Sequence, residues 1–476
     1  MASSSNAIAR SKRGKSTPDP SAPEAPRTLS TDVWSLLRIA LPISLGSLVQ
    51  FIVVLTDNYF LSRAGETAIN GAGNAALVYL TFIMAVTGGS VGIQILVARF
   101  QGEGDSKAKS TAARTGRLAL VALGFVLAAL VLAVNAAGGL RPLLTHPDVA
   151  EVFTSFLAIR GWGLVPYALL MAVEGDWMGQ AKSWPILLVS ATMASFNVVL
   201  DAMWVEGLWG GTVMGAEGAA YASLTAETVG ALLAWALSRW SIHPEAFQGR
   251  TRPSVAMLRQ WWTLSAPVMG QLVLTIATWA SFFFLVERVG MMELKVSHIT
   301  RNAFMLASVV IMGLGQTTRT VVSTLLGEGR PEELRPVLLK LVGMSYVGVW
   351  VLTHGYLLYP EWLASHFFTS SEGLGAMSNT LFTAFVALQI YATSGILISI
   401  LQGAGFTRVV FGIELTTVTI YVVCAYLLTT VYPQPIHVIW RCDWVYFVGM
   451  TLGGALGLAL LPWRQGHSSL TSEVEA

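Results

Sequence analysis

Charge is the scarcest thing in this chain. Of its 476 residues, 12% are Asp, Glu, Lys or Arg, against roughly 25% in a soluble globular protein. So few ionic groups cannot clothe this much apolar material in water, which excludes an ordinary soluble globule. Cysteine is almost missing as well. Cys424 and Cys442 stand 18 residues apart in apolar surroundings, too few for a disulfide framework and without metal-ligand spacing; they read as packing residues. Catalytic and nucleotide signatures are absent too. Gly14-Lys15-Ser16 lacks the upstream glycine of a GxxxxGK[ST] loop, so no ATP-driven step is expected. HExxH and Cys/His clusters do not occur, and the sole GxSxG match, Gly88-Gly89-Ser90-Val91-Gly92, lies inside an apolar run rather than at a turn. No enzyme and no bound cofactor are therefore expected, nor any nucleic-acid partner.

What the chain has is apolar length. Hydrophobic residues make up 54% of it, and mean hydropathy is +0.61. A spanning helix needs about 20 apolar residues at 1.5 Å rise each. Runs of that kind occur near 34–60, 70–97, 117–138, 153–173, 185–206 and 215–237, and again near 261–286, 299–324, 336–358, 377–401, 409–430 and 438–463. The expected fold is an all-α polytopic membrane protein of about 12 transmembrane helices. Residues 1–33, polar and Ser/Pro-rich with five Lys or Arg, read as a disordered basic tail. Residues 34–237 form a first lobe, 238–260 a polar linker, 261–463 a second lobe and 464–476 a second tail.

Fifteen Lys and Arg residues fall on one set of connections, from Arg99 to Arg464, against four or five on the other. That bias places both termini and the linker in the cytoplasm. A second regularity is an offset of 225 residues: Pro42 matches Pro267, Arg63 matches Arg288, Gly65 matches Gly290, Gly88 matches Gly313, and Gly102-Glu103-Gly104 matches Gly327-Glu328-Gly329. Six spans and a linker separate the copies, so both enter the membrane in the same direction. Such parallel repeats place a substrate site between the lobes near the midplane.

Ionisable groups inside spans are expensive, and each is by default a candidate functional residue. Asp57 lies late in the first span; Asn197 and Asp201 lie late in the fifth, four apart and so on one helical face. Ser223 enters early in the sixth span, with Glu227 one turn deeper. In the expected orientation Asp57, Asn197, Asp201 and Ser223 converge on the outer half of the first lobe. Two carboxylates, an amide and a hydroxyl suit a hard cation or a shared proton; a structural polar network between helices is the other reading.

Pro42 with Asp57 fifteen residues on, Gly65 just past the first span, Gln101-Gly102-Glu103-Gly104-Asp105 after the second, Arg160 and Gly179, Asn197-x-x-x-Asp201 and Gly215-x-x-Gly218-x-Ala220-x-Ala222-Ser223 together resemble the multidrug and toxic compound extrusion (MATE) transporters. The resemblance runs from about residue 34 to 463. It implies a V-shaped pair of six-helix lobes that alternate between inward- and outward-facing states. It also implies export of organic, cationic or amphipathic compounds in exchange for H+ or Na+, across the plasma membrane, in a bacterium the inner membrane, by a chain expected to be a monomer. The family's cation site carries over onto Asp57, Asn197 and Asp201, with Ser223 where relatives often have threonine. A lipid-linked oligosaccharide or lipid flippase of the same wider superfamily is the alternative.

Gln50, seven residues before Asp57, and Met193, four before Asn197, share the acid-bearing faces and join Asp57, Asp201 and Glu227 as expected cavity residues. The repeat equivalents of Asp57, Asn197 and Asp201 are Phe282, Val422 and Tyr426, so coupling is expected in the first lobe alone. Glu414 and Arg319 are expected to snorkel towards the cytoplasm, Arg160 and Arg301 to form helix-packing ion pairs, and Trp34, Trp204, Trp261, Trp262 and Trp463 to form an interfacial belt.

Overall fold

The computed structural model describes residues 29–141, 144, 146–246 and 252–465. The expected terminal tails, through residue 28 and beyond 465, and residues 247–251 of the linker lie outside it. Twelve of the described helices are long and apolar enough to cross a membrane. They are α1 (Val33–Ala64), α2 (Glu66–Glu103), α3 (Ser106–Ala136), α4 (Pro147–Gly179), α5 (Trp184–Trp204), α6 (Ala216–Ile242), α7 (Val255–Glu287), α8 (Met291–Gly327), α9 (Pro331–Leu358), α10 (Ser371–Gly403), α11 (Thr407–Val431) and α12 (Ile436–Leu460).

Local chemistry sets many of the ends. Asp32 caps α1 by accepting the Ser35 amide at 3.0 Å, and Asp105 caps α3 by accepting the amides of Lys107 and Ala108 at 3.0 and 2.8 Å. A side-chain oxygen in that place satisfies amides the helix leaves unpaired. Gly104 and Gly329, equivalent in the repeat, follow α2 and α8 with φ of 72° and 68°, a left-handed conformation that glycine adopts without steric cost. Pro42 and Pro267 sit inside α1 and α7, where each removes one helix hydrogen bond.

Buried apolar side chains fall into three clusters. One runs through both lobes on the side of the linker, including Leu36, Val86 and Leu96 of the first lobe and Trp261, Leu314 and Ile396 of the second. Another, with Phe60, Ala72, Phe156 and Ala220, is confined to the far half of the first lobe. The third, with Phe282, Phe304, Trp440 and Phe447, is confined to the far half of the second. The lobes thus share a core on the linker side and part on the other, a V that opens away from the linker.

The repeat reappears as paired contacts at the closed end. A Cβ added to Gly88 on α2 would lie 2.6 Å from Cα and N of Met269 on α7. One added to Gly313 on α8 would lie 3.0 Å from N of Ser44 on α1; 313 and 44 are 88 and 269 shifted by 225 in opposite senses. Likewise a Cβ on Gly102 would lie 3.0 Å from Glu328 N, and one on Gly327 3.0 Å from Glu103 N. These glycines let the lobes meet backbone to backbone. Polar contacts reinforce them: Gln94 Nε2 donates to Gln316 O at 2.8 Å and Thr320 Oγ1 at 2.9 Å, and Arg319 Nε donates to Gln94 Oε1 at 3.2 Å.

Three expectations change here. Arg319 does not snorkel; it is half-buried in the seam, donating also to Gln402 Oε1 at 2.9 Å. Trp261 leaves the expected belt, buried between the lobes with Nε1 donating to Gly89 O at 2.9 Å. Trp463 is buried too, donating to Leu458 O at 2.9 Å, because an indole whose N–H finds a carbonyl is as stable inside as at an interface.

Candidate functional site

The first lobe brings α1, α5 and α6 together through small residues. A Cβ on Gly46 of α1 would lie 3.3 Å from Ser190 Oγ on α5. One on Gly218 of α6 would lie 2.6 Å from the Trp204 carbonyl carbon on α5. Close approach of this kind is what lets helices associate where lipid is as apolar as leucine. It also carries Asp57, Asn197, Asp201 and Ser223 to one place.

Asn197 Nδ2 donates to Ser223 Oγ at 3.4 Å, and Ser223 Oγ donates to Asp57 Oδ2 at 3.4 Å. The carboxyl groups of Asp57 and Asp201 lie against one another. Asn197 and Asp201 are 1% and 0% exposed, and Asp57 is half-buried. Four oxygens, Asp57 Oδ1, Asn197 Oδ1 and both of Asp201, are buried without any hydrogen-bond partner. Buried polar atoms in folded proteins are nearly always paired, and two facing carboxylates repel unless a proton or cation stands between them. The donor set, all hard oxygen, fits such an ion.

One turn deeper, Glu227 is occupied otherwise. It accepts from Arg160 Nη1 and Nη2 at 3.0 and 2.7 Å and from the Tyr79 hydroxyl at 3.2 Å, while the Arg160 guanidinium lies 4.2 Å over the Tyr79 ring. The 3-10 turn Gly161–Gly163 in α4 makes room: a Cβ on Gly163 would stand 2.6 Å from Glu227 Oε2. Glu227 is therefore not a cavity-wall residue but half of a buried ion pair between α4 and α6, because its helical face turns into the lobe. Met193 is likewise turned to packing, against Gly230 of α6, whereas Gln50 is exposed on α1. Arg160 forms the expected ion pair. Arg301 instead lies over the Phe283 ring at 4.9 Å.

The second lobe is not a copy. Phe282 packs at 5.6 Å against Trp440, and Tyr426 is exposed. Yet this lobe holds two buried acids, of which Asp443 was not legible in the sequence. Glu414, 0% exposed, accepts from Thr275 Oγ1 at 2.8 Å, Tyr446 Oη at 2.7 Å and Gln271 Nε2 at 3.3 Å. Asp443 is 5% exposed and lines, with Tyr421, Tyr446 and Thr275, a cavity of about 10 Å³. The expected snorkelling of Glu414 is corrected: three donors from α7 and α12 make the interior a tolerable place for it. In the first lobe, Glu174 and Asp176 on α4 were also missed. Asp176 pairs with His243 Nδ1 at 2.9 Å, and Ser110 Oγ stands 3.3 Å from His243 Nε2. The available signal was two acids, Glu174 and Asp176, directly after the apolar run near 153–173 and before the polar stretch Gln180–Ser183.

Among the described residues, twelve spanning helices in two six-helix lobes that part on one side, with an unsatisfied carboxylate pair buried in the first, make the architecture of a polytopic membrane transporter. The MatE family model matches residues 42–203 and again 267–427, one match in each lobe, and the chain belongs to that family. A protein named probable multidrug resistance protein NorM from Pseudomonas putida is 26% identical over 353 residues, covering 72% of this chain and 74% of its own. Its namesake from Deinococcus radiodurans is 27% identical over 328 residues, covering 67% and 70%. A solved structure described as the outward-facing conformation of a multidrug resistance MATE family transporter superposes with a TM-score of 0.80 at 18% identity, over 92–93% of this chain and 97% of its own, as does a MOP superfamily transporter from Pyrococcus furiosus. Those structures show the same fold.

Proposed function

We propose that this chain is a secondary active antiporter that exports organic compounds, cationic or amphipathic, in exchange for H+ or Na+. The observation that carries the reading is the cluster of four partnerless oxygens on Asp57, Asn197 and Asp201, set in the half of the lobe where the V is open. With the linker side cytoplasmic, as the distribution of basic residues favours, that half faces outwards. A proton or cation entering from outside binds the pair, neutralises it and favours the state with weakened substrate affinity. After the lobes rock, the ion leaves to the cytoplasm and substrate binds. Such an ion shifts the equilibrium only through its differential affinity for the two states. The relatives named for multidrug resistance support small organic substrates and a bacterial inner-membrane location.

The test is efflux of ethidium from proteoliposomes under imposed pH or sodium gradients, with wild type, Asp57→Asn and Asp201→Asn. Gradient-driven efflux that both substitutions abolish is expected. Efflux that both leave intact refutes the coupling site, and absence of efflux of any tested amphiphile favours the flippase reading.

A further inference from the structure

The faces of α7 and α8 that meet the opposite lobe at the seam continue into the open half, where they become a wall of the V. On α7 that face is marked by Met269, against Gly88 of α2. Phe283 stands 14 residues further on, close to four full turns, and so on the same face. On α8 the face is marked by Gly313, against Ser44 of α1. Leu306 and Asn302, 7 and 11 residues earlier, share it and are exposed, and so is His298 one turn nearer the rim. The wall of the second lobe therefore carries Phe283 and His298, whose rings stack at 4.9 Å with an interplanar angle of 10°. Arg301 sets its guanidinium over the same Phe283 ring, 4.9 Å from the centroid.

Arg301 is half-buried and unanswered. Its Nε is buried without a hydrogen-bond partner, and no ion pair among the described residues includes it. The nearest acid along α8, Glu293, folds back towards Gly290, where an added Cβ would lie 3.2 Å from its Cδ. A carboxyl in such a place could take up a proton and become neutral, but a guanidinium keeps its charge. Buried donors without an acceptor are rare and costly. Water serves Arg301 while the V stands open; once the lobes rock and that side closes, the acceptor has to come from the substrate. The fold itself does not need this group. At the offset of 225, Phe283, His298 and Arg301 correspond to Asn58, Gly73 and Ala76, so the first lobe is built with neither cation nor aromatic ring there.

Resting on the export reading, we infer that Phe283, His298 and Arg301 form a substrate subsite for a planar aromatic group that bears a carboxylate. The guanidinium fork donates two parallel hydrogen bonds to a carboxylate. Cation–π contact with Phe283 holds the fork in place, and the exposed imidazole of His298 offers a flat face to the substrate's ring. The favoured substrates are thus amphoteric aromatics, and a purely cationic dye such as ethidium is bound more weakly.

The full chain tests this with a matched pair of dyes: rhodamine B, which carries a free carboxylate, and its ethyl ester, which has the same rings without the acid. Affinity is measured by fluorescence anisotropy in detergent, and export from proteoliposomes under imposed pH or sodium gradients. Wild type is expected to bind rhodamine B about 10-fold tighter than the ester, the low end of what a hydrogen bond to a charged group contributes. Arg301→Gln should remove that preference by weakening rhodamine B alone, with the ester and ethidium bound as before. Arg301→Lys, which keeps the charge but not the fork, should retain part of it. Equal affinity for acid and ester in wild type overturns the inference without need of any variant. So does a preference that survives in Arg301→Gln, or a loss that falls equally on both dyes, which marks a packing role. Binding is read without a gradient, so failure of every gradient to drive export removes the antiport reading and leaves the subsite to stand or fall on the affinities.

Discussion

Gly88→Ala tests whether the closed end of the V is a gate. The new methyl would sit 2.6 Å from both Cα and N of Met269, where carbon–carbon contacts settle at about 3.5–4.0 Å. These are backbone atoms of a packed helix, so α2 and α7 must separate by about 1 Å for carbon to reach that contact distance. Overpacking of this kind costs about 1–3 kcal/mol. If the contact exists only while the linker side is closed, the penalty falls on that state alone and multiplies the ratio of linker-open to linker-closed molecules by about 5 to 150. The gain in helix propensity from glycine to alanine acts in both states and cancels. Spin labels at Lys107→Cys and Arg335→Cys, both exposed on the linker side of opposite lobes, report the separation by pulsed electron–electron double resonance once Cys424 and Cys442 are replaced by alanine. A new population at longer distance is expected, and Gly313→Ala, meeting Ser44, should produce the same shift. Gly343→Ala, with nothing within 4 Å of the added carbon, should produce none. An unchanged distance distribution in both Gly88→Ala and Gly313→Ala refutes the gate.

Arg160→Met leaves Glu227 buried without its cation, at a cost of about 3–5 kcal/mol; thermal unfolding in detergent should fall sharply, and Arg160→Met with Glu227→Gln should recover most of it. At the membrane edge, the Ser35 amide holds the Asp32 carboxyl below the usual carboxylate range. A lowered folded-state value means the cap stabilises α1 above the unfolded pKa of about 3.9 and loses that contribution as pH falls through the lower value. Protection of the Ser35 and Leu36 amides against hydrogen exchange should therefore fall below that pH in wild type, and should already be low at neutral pH in Asp32→Ala.

The spans, the duplication and the meeting of Asp57, Asn197, Asp201 and Ser223 were legible because each depends on length, periodicity or helical phase, which the sequence states directly. Glu227 was harder. Its spacing from Ser223 puts it on the same face, but whether that face looks into a cavity or into the lobe depends on α4, whose Arg160 lies 67 positions away. Trp261 and Glu414 failed for a related reason. In a soluble protein polarity marks the outward face of a helix; in a bilayer both outside and inside are apolar, so hydrophobicity does not say which face meets a neighbour. Small residues carried that information instead. Gly88 and Gly313 were visible as matched positions, but their partners, Met269 and Ser44, have no distinguishing chemistry.

Gln94 and Arg319, which bond across the seam, differ by 225 in number, the period of the duplication. They are the same position in the two halves, and it meets itself at the pseudo-symmetry axis. In an assembly of two identical halves this spot would face its own copy, and arginine against arginine would set two guanidinium groups in collision. Fusion of the halves into one chain lifts that restriction. A donor-only side chain on one copy can then be answered by an amide acceptor on the other, so the axis of the molecule is where the two halves had most freedom to become different.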